Sequence, residues 1–156
     1  MLNKVDFPLT TSQISEFVLD KGYTSYFKLQ EALSDLTQSD LIRPETTHNR
    51  TLYHLTEDGA ETILYLSNKI SPAIRKDIDD FLREKQYDLK EEASVKSDYY
   101  LNTNREYEVR CQIEENGSSL IDLKLTVPTE KEAEAIVSHW NTKSQEIYTL
   151  LLTNLL

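Results

Sequence analysis

Two groups of residues in this sequence have the types and spacing to contact a polyanion. Lys28 and Gln30 stand two residues apart near the start of one helical segment. A lysine ammonium suits a phosphate, and a glutamine amide offers the donor and acceptor that read a base edge. Arg43, His48, Asn49 and Arg50 then gather around a polar turn and form the most concentrated positive charge in the first half of the chain. The other chemically able residues do not form constellations. His48, His54 and His139 are scattered without metal-ligand spacing. Cys111 alternates with Val109 and Ile113 on an apolar face, as a buried structural thiol does. Asp77, Asp79 and Asp80 fall beside Arg75, Lys76 and Arg83, which reads as a salt-bridged surface and not a cation site. Three glycines leave no phosphate-cradling loop. The expectation is a chain that is not an enzyme and takes no metal and no cofactor.

Charge opposes the polyanion reading. The chain carries a net charge of −10, and residues 1–67 hold five basic against ten acidic side chains, a net of −5. Nucleic-acid binders draw most of their affinity from phosphate neutralisation, so any basic footprint here must be local. No apolar run is long enough to span a bilayer. The start, Met1-Leu2-Asn3-Lys4, lacks a signal peptide's apolar stretch, so a cytoplasmic protein is expected.

The elements that must position these residues follow from periodicity. Thr10 and Gln13 form a capping box for a helix over residues 10–21, with Ile14, Phe17 and Val18 inward and Gly22 as its stop. A second helix runs from about Tyr26 to Ser39 on a stripe of Leu29, Leu33 and Leu36. Two short helices across a glycine turn make a helix-turn-helix candidate. Residues 43–46 and 51–55 read as two strands around the polar tip, with Pro44 suited only to an edge. A helix then starts at Thr56-Glu57-Asp58-Gly59 and runs to about Ser67, its inner face drawn as Ala60, Ile63 and Leu64, with Ser67 as a further candidate. Ser71-Pro72 opens another that ends near Gln86, with Ile74, Ile78, Phe81 and Leu82 inward, and residues 87–94 are the best boundary.

Three strands with clean alternation follow. Val95, Ser97, Tyr99 and Leu101 share a face, as do Tyr107, Val109, Cys111 and Ile113, and Ile121, Leu123, Leu125 and Val127. A two-residue turn at Asn116-Gly117 would pair odd with even positions and split the apolar face. A three-residue loop, Glu115-Asn116-Gly117 with a left-handed Gly117, opposes Cys111 to Ile121 and is the expected connection. Thr129 and Glu132 cap a long helix whose stripe is Ala133, Ile136, Val137, Trp140, Ile147, Tyr148, Leu151 and Leu155. Leu150, Leu152 and Leu156 leave apolar surface at its end, from which a homodimer is expected.

The order helix, helix, hairpin, helix resembles winged-helix regulators. The exit from the hairpin through Tyr53, Leu55, Thr56, Glu57 and Gly59 is similar to that of the PadR and MarR families. The whole chain resembles the bacterial family known as domain of unknown function 4364. Asp6-Phe7-Pro8-Leu9-Thr10, Ser12-Gln13-Ile14, Gly22-Tyr23-Thr24, Val127-Pro128 and Trp140 carry that likeness. A winged helix normally opens with a helix before the helix-turn-helix. Here only Met1 to about Val5 precede Asp6-Phe7-Pro8, so a start inside the first helix is expected, and a partner subunit filling the gap is the other option.

The sequence therefore implies an α+β protein. A winged helix-turn-helix spans residues 1–67, a connecting helix 68–90, and a three-stranded antiparallel meander packed by a long helix 91–156. The resemblance implies a DNA-binding transcription regulator, with Lys28 and Gln30 from the recognition helix and Arg43, Asn49 and Arg50 from the wing as contacts. Replacing Arg50 by Ala would then weaken binding to all sequences and lower its salt dependence. Two alternatives stay open: a protein-interaction adaptor using the acidic face with Tyr26 and Phe27, and a small-ligand sensor near Tyr99, Tyr107, Cys111 and Trp140. For that last group, plain core packing is the better account.

Overall fold

The computed structural model describes residues 1–48, 50–115 and 118–156. A 3-10 turn over Leu2–Lys4 leads to β1 (Leu9–Thr10), α1 (Thr11–Asp20), α2 (Tyr26–Gln38), β2 (Ile42–Thr46), β3 (Thr51–Leu55) and α3 (Glu57–Leu66). A second 3-10 turn over Ser67–Lys69 precedes α4 (Pro72–Ser94), β4 (Val95–Leu101), β5 (Tyr107–Glu115), β6 (Ser118–Val127) and α5 (Glu130–Leu155). The class is α+β, with two three-stranded antiparallel sheets ordered β1-β3-β2 and β4-β5-β6. The chain forms two compact units. One comprises Met1–Thr46 and Arg50–Ala93; the other joins Thr47 and His48 to Ser94–Leu156.

In the first unit the capping box at Thr10 and Gln13 forms as the sequence predicts. Gln13 does more than cap. It is buried, and its Nε2 donates to the Leu89 carbonyl at 3.2 Å and to Glu92 at 2.8 Å, tying α1 to the end of α4. β1 was not expected, because two residues have no period to read. It pairs Leu9 with Tyr53 and Thr10 with Leu52, adding a third strand to the hairpin. Gly22 at φ +68° makes the turn between α1 and α2 in the left-handed region.

Leu29 and Leu33 are buried, but Leu36, expected on the same stripe, is 38% exposed at the margin of an apolar groove between α2 and α3. The inner face of α3 is also rotated from the expectation. A Cβ on Gly59 would lie 2.0 Å from the Leu41 carbonyl oxygen, so that glycine marks the contact face. Thr62, Ile63 and Leu66 follow it into the groove, and Leu64 is turned outward at 71% exposure. α4 runs on to Ser94 and does not stop near Gln86. Leu89 and Ala93 are buried, continuing the stripe of Ile78 and Leu82 at helical spacing.

In the second unit β4, β5 and β6 form the expected meander with Val95, Tyr99, Val109, Cys111 and Ile113 in one core. The expected register needs correction. Cys111 opposes Leu123, not Ile121, and Ile113 opposes Ile121. Nearer the tip Glu114 opposes Ser119 and Glu115 opposes Ser118, with a register shift between Ile113 and Glu114. Only residues 116 and 117 separate the innermost pair, and the expected left-handed Gly117 lies outside the described residues. The parity that a two-residue connection would spoil is restored at Leu120, the extra residue of a β-bulge. Leu101 and Leu125, expected on the inner face, are 56% and 44% exposed at the end of β4 and on the edge strand β6. α5 covers the core with Ala133, Val137, Trp140 and Ser144 buried, and the Trp140 Nε1 donates to the Gln112 carbonyl at 3.2 Å. The expected stripe breaks off before Leu155, which is 78% exposed.

Candidate nucleic-acid interface

The outer face of α2 is presented to solvent along its length. Its inward side is fixed by Leu29 and Leu33, and helical geometry then turns Phe27, Lys28, Glu31, Ser34, Asp35 and Gln38 out, all exposed. Lys28 is thus placed as a surface cation. Gln30 is half-buried, and its Nε2 is enclosed without a hydrogen-bond partner among the described residues. Its donor is therefore not offered at the surface.

Of the positive cluster expected at the hairpin, Arg43, His48 and Arg50 each have surroundings of their own. Arg43 is exposed on β2 opposite His54, and it lines a groove of about 760 Å³ with Asp40, Glu45, Glu57 and Asp58. Four carboxylates around one guanidinium leave that groove acidic. His54 is drawn to Glu45, with Nε2 2.9 Å from Oε2. His48 bonds through Nδ1 to Asp98 and stacks on Tyr99, ring centroids 4.1 Å apart. Asn49 lies outside the described residues.

Arg50 is half-buried, and its Nη1 donates to the Glu92 carbonyl at 2.6 Å. Burial lowers the guanidinium's pKa from its usual value, and the carboxylates of Glu92 and Glu45 act in the opposite direction. Arg50 thus works as a tie from the hairpin to the end of α4. Its low exposure was not readable from a polar tip in sequence, because its anchor lies 42 residues away. Glu92 is a residue that sequence reasoning missed. It receives Gln13 and Arg50, on side chain and backbone respectively, and carries no local signal for either role.

The residues weighed as a ligand sensor lie in the meander core. Tyr99, Cys111 and Trp140 are buried, and Tyr107 packs partly buried against them. Tyr99 meets Tyr107 at 6.0 Å in a tilted pair and reaches Glu130 through its hydroxyl at 3.4 Å. Burial pushes the Cys111 thiol up to about 11, so it is protonated at neutral pH. The carboxylates of α4 are engaged at the surface: Asp79 with Lys4, Asp77 with Tyr23 and Lys21, and Asp80 with Lys76 and Arg83. Among the described residues no helix is long and apolar enough to cross a membrane.

Comparison with known proteins finds one family model, described as domain of unknown function (DUF4364), that matches residues 1–155. No curated protein and no solved structure matches the chain.

Proposed function

We propose that this chain, which belongs to the DUF4364 family, is a winged-helix transcription regulator that holds duplex DNA through α2. The observation that carries the reading is the exposed outer face of α2 beside a hairpin that β1 extends to three strands. The chain order α1, α2, β2, β3, α3 supports the resemblance to PadR and MarR winged helices described above. In that arrangement the second helix enters the major groove. Lys28, near its N-terminal end, then meets phosphate, and Arg43 is the wing cation at the surface. Arg50 drops out of the contact set, because its guanidinium already serves Glu92.

Fluorescence anisotropy with a mixed genomic duplex pool over a salt series tests the reading. Binding should weaken steeply with salt, and Lys28→Ala should lower the log–log salt slope by about 1. No binding at low salt would sink it.

A second reading has its own support. Phe27 is 83% exposed and Tyr26 54% exposed, edge to face at 6.0 Å, on a helix that also carries Glu31 and Asp35. An aromatic pair within an acidic face suits a basic protein partner better than a polyanion. In this adaptor reading, Phe27→Ala abolishes partner capture and DNA binding is absent in both proteins.

A further inference from the structure

The final turns of α5 continue an apolar stripe beyond the core that the stripe covers. Val137 and Trp140 are buried, and Ile147 and Tyr148 pack partly buried against the meander. The packed run ends there. Tyr148, Leu151, Leu152 and Leu155 keep the same spacing of i, i+3, i+4 and i+7, yet Leu152 is 40% exposed and Leu155 78% exposed. A helix of 26 residues spans about 39 Å. The longest strand of the meander has ten residues and spans about 33 Å, so the helix outruns its sheet.

Charge identifies what covers this seam. The chain is 28% charged with a net of −10, yet residues 147–156 carry no charged side chain. Two copies repel one another across most of their surfaces. They approach at least cost where neither carries charge, and a basic partner gains nothing from this segment. We infer that the seam Tyr148–Leu151–Leu152–Leu155 packs against the same seam of a second copy, as an antiparallel pair of helix ends about a twofold axis near Leu151 and Leu152. Such an isologous contact sets each residue against its own kind near the axis. A seam this short makes a reversible dimer, with a dissociation constant on the order of micromolar. The inference is independent of DNA binding.

The test is sedimentation equilibrium of the full chain from low to high micromolar concentration. The wild type should show mass growth from 18.1 kDa toward twice that value. Leu152→Glu and Leu152→Lys each place two like charges at the axis, and each should remain monomeric with unchanged helical circular dichroism. Mixed in equal amounts, the two variants should dimerise with one another, because Glu then faces Lys. A monomeric wild type at every concentration would overturn the inference. So would a dimer that survives Leu152→Glu combined with Leu155→Glu, or a Glu and Lys mixture that stays monomeric.

Discussion

Arg50 separates what a residue's type suggests from what its surroundings let it do. A guanidinium beside a polar tip reads as a phosphate contact. Half-buried and bonded to the Glu92 carbonyl, it instead holds the hairpin to α4. Arg50→Ala is therefore expected to lower stability by about 1–3 kcal/mol, the usual range for a hydrogen bond made by a charged group. A urea denaturation midpoint checks this; an unchanged midpoint would return Arg50 to the surface. Gly59 is a second such position. Its missing Cβ leaves room for the Leu41 carbonyl, so Gly59→Ala forces the α3 backbone outward at a cost of about 1–3 kcal/mol. Thermal unfolding of that variant, which should melt well below the wild type, is the measurement. Both roles were hidden in the sequence for one reason: each depends on a backbone carbonyl that is distant in sequence or on another element. Lys28 was legible, since the spacing of Leu29 and Leu33 alone turns it outward.

At the scale of elements, periodicity placed nearly every helix and strand, and the capping boxes at Thr10 and Thr129 fixed two helix starts. Periodicity fell short where an element is too short or a register is irregular. β1 has two residues and exists through its pairing with β3. The bulge at Leu120 leaves no mark on the alternation of Ile121, Leu123 and Val127, because those residues lie on the regular side of it. It does have a mechanical result. Deleting Leu120 removes the extra residue and lets regular pairing run from the two-residue connection with Ile113 still opposite Ile121, so the apolar face of β6 keeps its side. The deletion is expected to leave cooperative unfolding of the second unit intact, read by a retained Trp140 fluorescence transition. Loss of the sharp transition would mean that the bulge itself, and not only the parity it keeps, is needed for this sheet.

Across the whole molecule, acidic side chains dominate, and many are held charged by partners. Bonds from Tyr23, Lys76, Tyr100 and Arg110 lower the pKa values of Asp77, Asp80, Glu108 and Asp122 respectively below the ordinary values of 3.8 for aspartate and 4.5 for glutamate. Since the folded values lie below the unfolded ones, this stabilisation is complete above the ordinary carboxylate range and is lost as pH falls through the folded values. The melting temperature should stay level from neutrality to about pH 5 and decline below it. The chargeless end of α5 behaves differently. Contacts to phosphate release counterions and fade with salt, whereas leucines facing leucines have no ion atmosphere to shed. Raising ionic strength would then strip nucleic acid from the protein and leave paired copies intact. Ionic strength thereby becomes an axis along which the two associations come apart, in the order opposite to the one dilution imposes.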